Sequence, residues 1–110
     1  MAYEADLADR IRELLVNEPR LSEKKMFGGL AFLIGGNMAV AASGQGGILV
    51  HVDAEEGSRL VGKTAARPMV MRGKEMRGWL RVDTDALTTK RRLATWVERG
   101  AAYARSLPPK

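Results

Sequence analysis

Apolar positions recur along this chain with two different periods. Leu7, Ile11, Leu14 and Leu15 stand three and four residues apart, which puts them on one stripe of a helix from about Tyr3 to Val16. Asn17-Glu18-Pro19-Arg20 ends that helix, because proline disfavours helical backbone in the residue before it and lacks an amide proton. Three runs that read as strands follow: Lys25 to Ile34, Met38 to Ala42 and Ile48 to Asp53. Their links, Gly35-Gly36-Asn37 and Ser43-Gly44-Gln45-Gly46-Gly47, consist largely of residues that tolerate positive φ, so tight antiparallel reversals are predicted. Asp53 is placed to cap a short helix that runs to about Val61, with Glu55 and Glu56 against its N-terminal dipole and Gly62 as its stop. Arg67 to Met71 and Gly78 to Val82 read as a second strand pair, joined by a basic turn from Arg72 to Arg77. Leu93, Trp96, Val97, Gly100, Ala104 and Leu107 mark a final helix that Pro108-Pro109 stops.

The predicted order is α-β-β-β-α-β-β-α: a two-layer α+β fold with helices on an antiparallel sheet of about five strands. At 110 residues, one domain spanning 1–110 is expected, and the 45% hydrophobic content suffices for a single core. Cysteine is absent, so no disulfide staples the fold, which fits a reducing compartment. The acidic start Met1-Ala2-Tyr3-Glu4-Ala5-Asp6 lacks the features of a signal peptide. The apolar stretch Leu30 to Ile34 is far shorter than the roughly 20 residues that span a bilayer. A cytoplasmic protein with no membrane partner is the expectation.

Charge sharpens this picture. The net +5 is unevenly spread, −3 over residues 1–55 and +8 over residues 56–110. Candidate partner-binding cations are Arg72, Lys74 and Arg77 in the basic turn, Lys90 and Arg91 near the start of the last helix, and Lys24 with Lys25. Positive charge at a helix start opposes the dipole, so Lys90-Arg91-Arg92 asks for compensation, which phosphate or an acidic protein face would supply, as would water and the nearby Asp83 and Asp85. Aromatic residues make up only 5% of the chain and no groove-reading or base-stacking motif is present, which argues against sequence-specific DNA binding.

Catalytic patterns fare poorly. Gly57-Ser58-Arg59-Leu60-Val61-Gly62-Lys63-Thr64 satisfies the letters of a phosphate-binding loop, yet such a loop follows a strand and opens a helix, whereas these residues read as helix themselves. His51 is the only histidine, so no histidine cluster can hold a metal, and a strand histidine is read as a packed or surface residue. Asp53 with Glu55 and Glu56, and Asp83 with Asp85, are explained by helix starts. Ser43 and Ser58 have no base nearby in sequence. No catalytic, cofactor-binding or metal-ligating residue is therefore expected. Gly28-Gly29 is read as a bulge inside a strand, Met26, Met38, Met69 and Met71 as core, and Trp79 and Trp96 as core anchors.

The segments Lys24-Lys25-Met26-Phe27-Gly28-Gly29-Leu30-Ala31-Phe32, Asn37-Met38-Ala39-Val40, Arg67-Pro68-Met69, Gly73-Lys74-Glu75-Met76-Arg77-Gly78-Trp79 and Trp96-Val97 together resemble the TfoX N-terminal domain family. The resemblance implies a small antiparallel α+β domain similar to secretion chaperones. It also implies a kinship with bacterial competence regulators that act with a transcription activator and are not known as enzymes. Those regulators carry a further C-terminal domain, whereas this sequence stops at Pro108-Pro109-Lys110, as expected of a stand-alone short member. His51 departs from the family pattern, in which arginine is the expectation. The leading expectation is a non-enzymatic regulatory or adaptor module that binds a protein partner. The alternatives are a weak nonspecific nucleic-acid binder using the basic half, and a small metabolite binder or enzyme. An exposed edge strand leaves pairing of two copies open.

Overall fold

The computed structural model describes residues 3–26 and 28–110; Phe27 of the Met-Phe-Gly-Gly segment and the first two residues of the acidic start lie outside them. Helix α1 spans Ala5–Leu14, followed by strands β1 (Leu21–Met26), β2 (Gly29–Ile34), β3 (Asn37–Ala42) and β4 (Ile48–His51). Helix α2 spans Ala54–Lys63, strands β5 and β6 span Arg67–Met71 and Lys74–Val82, and a 3-10 turn at Thr84–Ala86 leads into α3 (Lys90–Ser106). The six strands form one sheet in the order β1-β2-β3-β4-β6-β5, every neighbouring pair antiparallel.

The α+β antiparallel architecture is as read from the sequence, with one strand more. The run from Lys25 to Ile34 is not a single bulged strand: the chain reverses between Met26 and Gly29, which face each other across β1 and β2. Gly28 takes φ +71° in that reversal, and a Cβ on Gly29 would sit 2.0 Å from the Ala42 carbonyl oxygen, so the second glycine lets β2 start hard against β3. Strand β1, Leu-Ser-Glu-Lys-Lys-Met, escaped the pattern because an edge strand exposed along most of its length needs no apolar alternation. The basic turn is likewise shorter than expected. Only Arg72 and Gly73 form the β5–β6 loop, at φ +54° and +76°, the doubly positive pair whose twist suits a two-residue hairpin. Lys74 and Arg77 lie on β6 itself.

Both faces of the sheet are buried, by different means. On one face Leu30, Phe32, Ile34, Val40, Ile48, Val50, Leu80 and Val82 pack under Leu7, Ile11 and Leu15 of the α1 region and Leu93, Trp96, Val97, Ala101 and Ala104 of α3. On the other, Ala31, Met38, Ala41, Leu49 and Met69 form a second apolar cluster to which no helix contributes a side chain. Met26, Leu33, Met76 and Trp79 pack at its margins. Two irregularities bend the sheet over this second cluster. Ala39 is an extra residue between the Phe32–Val40 and Leu33–Met38 pairs. On β6, Arg77, Gly78 and Trp79 fall between the Pro68–Leu80 and Met69–Met76 pairs, with Gly78 at φ +82°. Met71, expected in the core, is instead exposed at the hairpin end of β5, beside the more exposed Val70.

Helix contacts exploit the same absences of side chain. Gly57 of α2 packs on Gly78, and Gly100 of α3 sits where a Cβ would lie 2.2 Å from the Ala39 carbonyl oxygen. Gly62, by contrast, is not the helix stop: α2 continues to Lys63, and its last turn is closed by Thr64, whose N–H and hydroxyl both donate to the Leu60 carbonyl. A matched pair of substitutions follows. Gly100→Ala must push α3 off the bulge and is expected to destabilise the fold by about 2 kcal/mol. Gly62→Ala meets nothing within 4 Å and is expected to stabilise it by about 0.5–1 kcal/mol through helix propensity. Urea unfolding of the two variants beside the parent measures both signs.

Candidate functional site

The candidate cations do not gather on one face. Lys24 and Lys25 lie on β1, whereas Arg72 and Lys74 sit at the tip of the β5–β6 hairpin, and β1 and β5 are the opposite edges of the sheet. Arg77 stands in the β6 bulge, where it lines a small cleft with Gly57, Ser58, Val61, Trp79 and other residues. At the start of α3, Lys90 approaches Glu13 at 3.9 Å. Arg91 borders an open groove along α3 that also takes in Asp53, Glu56, Glu98 and Tyr103. The compensation expected from Asp83 does not occur, because its carboxylate is held by Arg67 at 2.6 Å. The helix start is relieved locally instead: the Thr89 hydroxyl accepts from the Arg92 N–H at 3.1 Å.

Asp53, Ser43 and Ser58 are each engaged structurally. Asp53 caps α2, its carboxylate accepting from the N–H groups of Glu55 at 3.0 Å and Glu56 at 3.4 Å. Ser43, almost fully buried, shapes the β3–β4 turn by accepting from the Gln45 N–H, and it accepts a further hydrogen bond from Arg81 at 2.9 Å. Ser58 donates to the Ala54 carbonyl one helical turn back. Residues 57–63 of the phosphate-loop pattern are helix, with Gly57 buried and Leu60 and Val61 against the main core.

The most chemically varied place lies on the second face of the sheet. His51, at the end of β4, stacks on Trp79 of β6, its direct cross-strand neighbour, at 3.9 Å between ring centroids and 14° between planes. Tyr103 of α3 meets the imidazole edge-on at 5.0 Å. His51 and Trp79 border an apolar cleft of about 570 Å³ that includes Met26, Leu33, Met38 and the C-terminal residues from Leu107 to Lys110. That C-terminal segment is strapped to the β2–β3 reversal: the Lys110 N–H donates to the Gly35 carbonyl at 2.7 Å, and the Asn37 amide donates to the Pro108 carbonyl at 2.9 Å. Trp79 is thus an anchor on the second face, whereas Trp96 lies in the helix-covered core. Burial holds the His51 pKa below its ordinary value; a backbone hydrogen bond at Met38 opposes the shift and the Lys110 charge adds to it.

Sequence reading missed this cleft and the edge strand beside it. The cleft depends on side chains from β1, β2, β3, β4, β6 and the C-terminal segment that no single motif joins. The signal for β1 was present in Gly28-Gly29, which marks a reversal as readily as a bulge. Among the described residues, no three His, Asp or Glu side chains gather as a metal site, and no helix is long and apolar enough to cross a membrane.

The model of the TfoX N-terminal domain matches residues 13–104 of the chain. No curated protein matches it.

His51 makes the fold sensitive to pH in a defined window. Its folded pKa is depressed, so the unfolded chain binds the proton more readily, and stability falls as pH drops from above 6.5 through the folded value. Because His51 is the only histidine, thermal unfolding between about pH 7.5 and 5.5 isolates this effect from the carboxylates. The melting temperature is expected to decline across that range in the parent and to flatten in His51→Phe, which keeps an aromatic ring to stack on Trp79.

Proposed function

We propose that this chain, which belongs to the TfoX N-terminal domain family, is a non-enzymatic regulatory or adaptor domain that works through protein contacts in the cytoplasm. The family supports a place in transcription-related, competence-type regulation. The observation that carries the reading is the contrast between the interior and the surface. Asp53, Ser43 and His51 serve a cap, a turn and a ring stack, while Arg72 and Lys74, which form no ion pair among the described residues, stand with exposed apolar side chains at the hairpin tip. Val70 is 58% exposed beside Met71, and the loop cation Arg72 and its neighbour Lys74 follow directly. A mixed apolar and cationic tip suits a protein surface, since a patch for phosphates alone has no use for exposed valine and methionine.

That cationic tip also favours a second reading, weak nonspecific binding to nucleic acid. The two separate on salt. Capture of a defined protein from the native cell extract is expected to survive raising the salt from about 50 mM to 200 mM, whereas binding to a random-sequence duplex driven by several phosphate contacts would fall by orders of magnitude. If the chain held such a duplex with a steep salt slope and Arg72→Gln, Lys74→Gln and Arg77→Gln together removed that binding, while no protein was retained, the adaptor reading would be wrong.

A further inference from the structure

The two edges of the sheet are built differently. Strand β5 carries Pro68, which has no N–H to offer, and its pairing with β6 is interrupted directly after that residue. Strand β1 has neither device: six residues from Leu21 to Met26 pair with β2 in unbroken register, from Leu21–Ile34 to Met26–Gly29. Its hydrogen-bonding parity is set by the Gly35 N–H, which donates to the Arg20 carbonyl at 3.1 Å one position beyond the strand. Antiparallel ladders alternate, so Ser22, Lys24 and Met26 bond to β2, while the N–H and C=O groups of Glu23 and Lys25 point away from the sheet. The edge is therefore open in its main chain.

Side chains decide what fits there. Lys24 and Lys25 are exposed, and neither forms an ion pair among the described residues. Alternation puts them on opposite faces of the edge. Glu23 is already committed to Arg12, which donates through Nε at 2.7 Å and through a second nitrogen at 2.9 Å. A second copy of the chain fits badly. Of the two-fold antiparallel registers, the two that would pair five residues of each β1 place either Glu23 on Glu23 or Lys24 on Lys24. An acidic strand meets no such conflict. Met26 adds an apolar anchor point, because it lies both at the end of β1 and on the wall of the cleft with Leu33 and Met38.

We infer that β1 is a strand-addition site for an extended acidic peptide segment of a partner protein, whose backbone pairs with Glu23 and Lys25. Its carboxylates face Lys24 and Lys25, and an apolar side chain drops beside Met26 into the cleft. The inference rests on the reading of this domain as a protein-binding module and names the chemistry of the partner.

The test uses the whole chain and a fluorescein-labelled octapeptide in which Glu-Glu pairs alternate with Val-Val pairs, so that carboxylates fall on both faces of an added strand, with the corresponding Lys-Lys and Val-Val peptide as control. Anisotropy titration is expected to show binding of the acidic probe only. Lys24→Gln with Lys25→Gln is expected to weaken it by about three- to tenfold. Lys25→Pro removes the same charge as Lys25→Gln and in addition an N–H that faces away from the sheet, and is expected to weaken binding by about tenfold or more beyond Lys25→Gln. Amide hydrogen exchange on the unmodified protein gives an answer that needs no variant: the Glu23 and Lys25 amides are expected to slow when the probe is added. If Lys25→Pro bound no more weakly than Lys25→Gln and the two amides were unaffected, simple charge attraction would replace strand addition. Sedimentation showing a dimer that Lys25→Pro dissolves would assign the edge to a second copy and overturn the proposal. Should the acidic probe fail while salt-resistant capture of a protein persists, the edge proposal falls and the adaptor reading stands; loss of both would end the adaptor reading itself.

Discussion

The fold depends on backbone approaching backbone where no side chain intervenes. Gly29 against Ala42 and Gly100 against the Ala39 carbonyl each bring two elements closer than a Cβ would allow, and Gly57 packs tightly on Gly78. At the last of these, α3 settles on the extra residue of β3, and the contact fixes the helix over the centre of the sheet. With that height set, Leu93, Trp96 and Val97 reach Val40, Val50 and the side chains of α1 in one continuous core. A methyl group at residue 100 would hold the helix away and open voids along the whole layer, which close packing does not tolerate.

The other consequence of these close approaches is a sheet that bends. A flat six-stranded sheet with all its helices against one core would leave Ala41 and Leu49 in water; here both are buried. The bulges at Ala39 and at Arg77 to Trp79 supply the curvature, and four methionines, with their unbranched side chains, fill the irregular space that results. The cleft beside His51 is what this second core leaves open toward the C-terminal strap. Its position between β1 and the strap gives a segment added at the edge somewhere to place an apolar side chain.

Periodicity made the helices legible, and the cap at Asp53 was read correctly because an acidic residue followed by two glutamates at a helix start has a direct electrostatic meaning. The strands β3, β4 and β5 were equally plain. What the pattern concealed was β1, since Ser22 to Lys25 are polar on both faces and only the register with β2 shows them to be a strand. The Gly28-Gly29 pair reads as a bulge for the same reason: without β1 there is nothing for a reversal to connect. Charge alone marks Lys24 and Lys25 as partner contacts in the sequence, and the structure adds the open main chain that gives their charge a direction. The pairing of Asp83 with Arg67 instead of the α3 terminus was hidden because it joins residues 16 apart across two strands.

The central claim is that Leu21 to Met26 form a paired strand whose outer edge is free. Residue-resolved amide exchange of the protein alone reads this directly. Slow exchange at Ser22, Lys24 and Met26 with fast exchange at Glu23 and Lys25 is the result the account predicts, whereas uniform protection along the segment, or uniformly rapid exchange, would contradict it.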